Sequence, residues 1–251
     1  MRVAVAGATG RVGDHVADVL EEQGHAVVPM SRSTGVDVIT GEGLDHALAG
    51  VDCVIDTATG PSPDKDAATE FFTVAAGNLH GSGERAGVRQ MVVVSIIGCD
   101  RYAGGYNAAK VAHEEAMAAG PIPVRVVRAA QFHEFVGQLM EWGTQGDVSY
   151  VPRMRTQLVA ARTVAETLAE AAIDPASAVS EIAGPREESL AEMARLVAAR
   201  RGVPARVEEV VDTDDPDREL DATGALLPGP GARLAGPTFE EWLDVADGRA
   251  A

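Results

Sequence analysis

Val3-Ala4-Val5-Ala6 is four apolar residues of strand character, followed by the turn Gly7-Ala8-Thr9-Gly10-Arg11-Val12-Gly13 and then a helical pattern from Asp14 to Gln23. Strand, glycine turn and helix in this order are the context a dinucleotide-binding fingerprint requires. Gly7 permits the tight turn and Gly10 lets a pyrophosphate approach the backbone. Gly13 lets the helix pack closely on the strand, and the free N–H groups at the helix start face the phosphates. Thr9, Arg11 and Val12 belong to the same candidate cofactor turn. The spacing is GxxGxxG, not GxGxxG. The alternative is a structural βα turn with no nucleotide.

The chain of 251 residues is 46% hydrophobic, so it can build one large α/β core with a smaller appended region. A net charge of -17 repels nucleic acid and anionic membrane, and neither is expected as a partner. The dense carboxylates of Glu208–Asp221 read as a solvated face. Cys53 and Cys99 stand in no metal-ligand or CxxC spacing, which fits a reducing compartment and argues against structural zinc. Neither a signal peptide nor a bilayer-length apolar run is visible, so a cytoplasmic protein without a metal is expected.

Apolar residues Val12, Val16, Val19 and Leu20 recur at helical spacing. Ala26–Met30 reads as the second strand, and its end decides the dinucleotide. An NAD site would carry Asp or Glu there; this chain has Ser31-Arg32-Ser33. A guanidinium with two hydroxyls suits a 2′-phosphate, and Arg11 adds charge beside it, so NADP(H) is expected over NAD(H). The alternative leaves Arg32 a solvated loop residue. Gly35–Val38 reads as a possible short strand whose Asp37 could touch adenine. Val51–Thr57 is a buried parallel strand by its apolar run. Thr57, Ala58 and Thr59 beyond its carboxyl end should line the cofactor groove. A long helix from about Asp66 to Ala86 contains Gly77, Gly81 and Gly83, expected to allow close helix–sheet packing.

Gln90–Gly98 is the next strand, with Ser95 near its end, and Tyr106-Asn107-Ala108-Ala109-Lys110 opens the following helix. Spacing i, i+4 puts Tyr106 and Lys110 on one face, where the ammonium can favour the phenolate. A phenol that exchanges its proton near neutral pH is what carbonyl reduction needs.

With these residues in place the chain resembles the short-chain dehydrogenase/reductase superfamily, closest to its atypical, NmrA-like, NAD(P)H-binding branch. The resemblance covers nearly the whole chain. It rests on Gly7–Gly13, Gly50–Ala58, Val92–Gly98, Tyr106–Lys110, Arg128–Phe135 and Gly236–Leu243. It implies Tyr106 as acid/base, Lys110 as holder of the nicotinamide ribose and depressor of the Tyr pKa, and Ser95 as the group orienting a substrate carbonyl. The superfamily's Asn-Asn-Ala-Gly motif is missing, and Asn78 sits in no equivalent of it. Several members of this branch bind the dinucleotide as sensors without turnover.

Val124–Arg128 is a further strand, and Ala130, Gln131 and Phe132 beyond it should cover the nicotinamide. His133 could contact substrate or be a hydrogen-bonded structural residue. Phe135–Trp142 offers a pocket wall or core. Leu158–Ala160 reads as a returning segment before the helix Thr163–Ala172. A strand at Ala178–Ile182, a helix at Glu188–Arg200 and a short strand near Arg206 follow, with Asp212–Gly236 as irregular loop.

The expected fold is α/β, a Rossmann-type doubly wound parallel sheet with a smaller C-terminal substrate-binding region. Residues 1–128 form the core with 155–173 packing back on it. Residues 129–154 and 174–251 form the smaller region, all in one structural unit. The expected function is an NADPH-dependent reductase of a small-molecule carbonyl or quinone-like substrate, acting as monomer or homodimer. Alternatives are a non-catalytic NADP(H) sensor, or an NADP-dependent isomerase, epimerase or cyclase.

Overall fold

A computed structural model of the chain describes residues 1–211 and 217–246. The chain separates into two compact units, residues 1–128 with 164–180, and residues 129–163 with 181–251. These boundaries shift the expected ones: 155–163 falls in the second unit and 174–180 in the first.

The first unit begins with β1 (Arg2–Ala6), α1 (Arg11–Glu22), β2 (Ala26–Met30) and α2 (Leu44–Ala47). It continues with β3 (Cys53–Asp56), α3 (Lys65–Ala86), β4 (Gln90–Ile96), α4 (Gly105–Ala118) and β5 (Val124–Ala129). The strands lie in the order β2-β1-β3-β4-β5. Val3 is in parallel register with Val27 on one side and Cys53 on the other, and Cys53 with Gln90. This parallel sheet with helical crossovers is Rossmann-like, as the alternating pattern implied. Because β2 and β3 flank β1 on opposite sides, the chain reverses direction across the sheet at β1. Ligands of open α/β sheets lie at such a switch point, beyond the carboxyl ends of the strands. The segment read as a strand at Gly35–Val38 is not one. A short 3-10 turn at Arg32–Thr34 runs into loop, and strand β3 takes the place beside β1.

The core is built as the apolar runs predict. Val3 to Ala6 and Cys53 to Ile55 have no solvent exposure, which requires cover on both faces of the sheet. Val54, Leu79, Met91 and Met117 belong to one cluster joining β3 and β4 to α3 and α4. Helix α3 starts where Asp64 caps the amides of Asp66 and Ala67, and stops at Gly87, whose φ of 76° is left-handed. Of its glycines only Gly83 serves close packing. A Cβ there would lie 2.8 Å from Ile122 Cδ1, whereas Gly77 has open space around it.

The second unit holds α5 (His133–Gly143), β6 (Thr144–Gln145), β7 (Val148–Pro152) and β8 (Arg155–Thr156). Helix α6 (Ala161–Ile173) follows and carries the chain back into the first unit from Val164 on. Then come β9 (Glu181–Ala183), β10 (Glu188–Ser189), α7 (Leu190–Arg201) and β11 (Arg206–Val210). α8 (Arg218–Thr223), β12 (Arg233–Leu234) and α9 (Phe239–Ala246) complete it. β7 pairs with β6 and β11, and β9 with β12. Val136, Met140, Leu190, Val197, Phe239 and Leu243 form its core. Trp142, considered above as pocket wall or core, is 64% exposed. The span expected as irregular loop carries α8 and β12; its residues 212–216 lie outside the described residues, as does that part of the acidic stretch.

Candidate functional site

At the end of β1 the glycine turn is shaped by contacts that exclude side chains. Gly7 has φ 76°, and a Cβ there would stand 2.9 Å from the backbone of Ala58. A Cβ at Gly13 would stand 2.2 Å from Gly7 O and 2.7 Å from Thr57 Oγ1. Gly10 is the N-cap of α1 and supplies no side-chain acceptor, so the first-turn amides remain for an anion. Thr9 and Arg11 are exposed at this turn, while the Val12 side chain is buried and leaves only its amide for a ligand. This is a cradle that fits a pyrophosphate.

At the end of β2 the Ser31 and Ser33 hydroxyls bond each other at 2.8 Å, and the Ser31 amide donates to Thr34 Oγ1 at 2.9 Å. The turn thereby fixes Arg32 at its tip, exposed and with no carboxylate paired to it among the described residues. Asp37 turns inward on its own loop, where Oδ1 accepts from the amides of Ile39 (2.7 Å) and Thr40 (3.3 Å). Asn78 of α3 pins the same loop through the carbonyls of Val38 and Ile39. Its role is structural.

Beyond β3, Thr57 donates to Ala6 O at 2.7 Å, tying the loop to the glycine turn. Asp56 Oδ1 accepts from the Ala58 amide at 2.9 Å. Thr59 Oγ1 lies 2.9 Å from the Tyr106 hydroxyl. The Thr59–Tyr106 bond thus joins the loop after β3 to the start of α4.

One turn along α4, Lys110 is only 4% exposed. Its Nζ donates to Val94 O at 2.8 Å and to His113 Nδ1 at 2.9 Å, and lies 4.4 Å from the Phe72 ring centre. His113 Nε2 donates to Asp56 Oδ2 at 3.1 Å, and its ring stacks on Phe72 at 4.4 Å. Burial works against the Asp56 charge, but the His113 hydrogen bond and the neighbouring positive charge outweigh it and hold the carboxyl below its ordinary value. Burial pushes Lys110 down to about 8, with Asp56 opposing. Burial and the Lys110 charge also lower His113, against the Asp56 hydrogen bond and charge.

Two side chains of the expected set stand apart from the phenol or do not lower it. Burial pushes the Tyr106 phenol up, Asp56 adds to this, and the Thr59 bond opposes it. The Lys110 ammonium is turned inward to Val94 and His113. Ser95 is 3% exposed and faces Cys99 Sγ at 3.9 Å, so its hydroxyl points into the fold. That neighbourhood is closed by Glu114, which accepts from Cys99 and takes a two-pronged bond from Arg128 at 2.9 and 2.7 Å. The hydroxyl beside the phenol is Thr59, not Ser95.

Ala130, Gln131 and Phe132 lie in the second unit. The Ala130 amide bonds Ile182 O, Gln131 Oε1 accepts from Thr156 and Phe132 bridges to Val159. In the same unit His133 is buried among Phe239 and Trp242, with Nε2 donating to Pro237 O at 3.1 Å. Burial pushes it down to about 4, and it is structural.

Asp56, His113 and Phe72 surround the Lys110 side chain and are not singled out by the sequence reading. The signals were present: a carboxylate ending a buried apolar strand, and a His three residues after Lys110 on the same helical face.

A parallel α/β layer with a glycine cradle at its switch point defines a Rossmann-type dinucleotide-binding protein. Residues 7–175 match the family described as NAD(P)H-binding. The chain belongs to that family. Among curated relatives, the photosystem II assembly factor Ycf39 of Synechocystis is 30% identical over 116 residues, covering 41% of this chain and 36% of that protein. The chain thus spans about a third of that relative's length. Among solved structures, a short-chain dehydrogenase/reductase superfamily protein from Agrobacterium tumefaciens with bound NAD has a TM-score of 0.67 at 17% identity, over 99% of this chain and 97% of that one. UDP-glucose 4-epimerase from Thermotoga maritima with UDP-glucose reaches 0.75 at 15% identity, over 99% and 98%. A dTDP-4-dehydrorhamnose reductase from Bacillus anthracis in complex with NADP reaches 0.73 at 15% identity, over 97% of each chain. At these identities the likeness is one of fold. Among the described residues no helix is long and apolar enough to cross a membrane.

Proposed function

We propose that the chain is an NADPH-dependent reductase of a small-molecule carbonyl or quinone-like substrate, with Tyr106 as the proton donor. The observation that carries this is the Thr59–Tyr106 hydrogen bond at the mouth of the switch point, with buried Lys110 one helical turn below the phenol. The amides at the start of α1 and the glycine cradle would hold the pyrophosphate. Ser31, Arg32 and Ser33 would hold a 2′-phosphate, which is the basis for preferring NADP(H). NADPH would supply the hydride.

This chain's own residues do the rest. The raised phenol keeps its proton at neutral pH, which suits a group that must donate to a developing alkoxide. Thr59 fixes the direction of that hydroxyl. Lys110 spends two of its three N–H bonds on Val94 and His113, so it is held as a rigid donor with one N–H left for the ribose or the substrate. Phe72 packs edge-on to Tyr106 at 5.8 Å and covers Lys110, whose ammonium lies 4.4 Å from the ring centre.

Tyr106→Phe is expected to lower turnover about 10²–10⁴-fold with NADPH affinity retained, measured as NADPH oxidation against a panel of aldehydes, ketones and quinones. Near-full activity in that variant would remove Tyr106 from the role. The inward-facing Ser95 favours the second reading, an NADP(H)-binding sensor. Tight NADPH binding by the wild type, with no oxidation on any member of the panel, would decide for it.

A further inference from the structure

We infer that Lys110, His113 and Asp56 form an internal proton relay, through which Lys110 passes a proton inward to the Asp56 carboxylate by way of the His113 imidazole. The inference rests on the reading of Lys110 as part of the reductase site.

An ammonium has no lone pair, so the 2.9 Å contact between Lys110 Nζ and His113 Nδ1 requires a bare Nδ1. The neutral ring then carries its proton on Nε2, which is the nitrogen 3.1 Å from Asp56 Oδ2. The other Asp56 oxygen is taken by the Ala58 amide, and stacking on Phe72 at 4.4 Å and 14° holds the ring plane. Asp56 and His113 are each 1% exposed and Lys110 4%, so the relay is shut off from bulk water along its length.

The transfer balances. The Nζ–H bond breaks as Nδ1–H forms, and Nε2–H breaks as Oδ2–H forms. Ammonium, imidazole and carboxylate become amine, the opposite imidazole tautomer and carboxylic acid. The group is neutral overall before and after, which matters because a net charge created at this depth would be costly. Lys110 can therefore present either an ammonium or an amine to the site at constant net charge. An amide in place of His113 could accept from Lys110 and donate to Asp56, but it could not carry the proton.

The other ionisable groups near this path lie beside it. Glu114 and Tyr106 are on α4 itself and Cys99 is on the turn after β4. Helix α3 contributes the Phe72 ring, and β4 the Val94 carbonyl.

The chain has two lysines, Lys65 and Lys110, so its lysine spectrum is simple to assign with Lys65→Arg. On the cofactor-free full chain, ¹⁵N NMR is expected to show His113 neutral with its proton on Nε2 at pH 7. Asp56→Asn is expected to lower the Lys110 midpoint by about one pH unit or more. His113→Gln keeps both hydrogen bonds, so NADPH affinity is expected to stay within about twofold while turnover falls at least about tenfold and the pH–rate profile changes. A cationic or Nδ1-protonated His113 would overturn the relay, as would a Lys110 midpoint indifferent to Asp56→Asn. So would a His113→Gln enzyme with wild-type turnover and pH profile. Should the wild type turn over no carbonyl at all, the reductase reading fails, and the two NMR measurements still decide the relay.

Discussion

Arg32 sits at the tip of a turn that its neighbours brace. The Ser31–Ser33 and Ser31–Thr34 bonds hold the backbone, and no carboxylate competes for the guanidinium among the described residues. A charge-assisted contact to a 2′-phosphate contributes about 1.5–3 kcal/mol. Arg32→Ala is therefore expected to weaken NADPH binding about 10–100-fold and leave NADH binding unchanged, read by fluorescence titration with each cofactor. Equal affinities in the wild type, unmoved by the substitution, would remove the preference for NADP. At the same scale, Thr59 shows how a residue's partner is decided in space. Thr59 is expected to line the cofactor groove, and in the structure its hydroxyl stands at the phenol. Ser95, favoured from its place near a strand end, is turned inward because alternation along β4 puts its side chain against Cys99.

Helices α3 and α4 pack on one another and carry Phe72, Tyr106, Lys110 and His113, so the precision of the site depends on them. His80 of α3 bonds Met117 O of α4 at 2.9 Å, locking their far ends. Glycine lowers helix stability by about 0.5–1 kcal/mol relative to alanine. At Gly77 a methyl meets nothing within 4 Å, whereas at Gly83 it meets Ile122 Cδ1 at 2.8 Å and Met91 Cε at 3.0 Å. Gly77→Ala is expected to stabilise the protein by up to about 1 kcal/mol in urea unfolding. Gly83→Ala is expected to gain less or to destabilise, since the methyl must displace core side chains. The length of α3 was legible because Asp64 and Gly87 punctuate it. The different duties of its glycines were not, because they depend on what lies across from each.

For the molecule as a whole, acid is the condition that opposes the fold. His133 is pushed down to about 4 by burial and His113 is lowered as well, both from an ordinary value of 6.5. Below about 6.5 the unfolded chain binds protons at these sites that the folded chain refuses, so stability falls as pH drops from 6.5 toward 4. Asp56, held below the usual carboxyl range, adds a loss at still lower pH when it is finally protonated. Urea midpoints are expected to fall between pH 7 and pH 5, with His133 alone accounting for on the order of 2 kcal/mol. His133→Phe should flatten that drop; an equal slope in the variant would show that His133 does not contribute it.

The sequence by itself determined the Rossmann-like sheet and the place of the glycine cradle. Those depend on local pattern: apolar runs for strands buried on both faces, and glycines where a Cβ would collide with the Ala58 backbone or with Gly7 O. It also brought Tyr106 and Lys110 to one helix face, since i, i+4 spacing is a property of the helix alone. What only the tertiary structure decided is what those side chains do to each other. Whether Lys110 faces the phenol or the interior depends on Asp56, 54 positions earlier, and on His113 between them. The outcome is set by burial, which makes an inward ammonium tolerable only where a carboxylate and an imidazole wait to receive it.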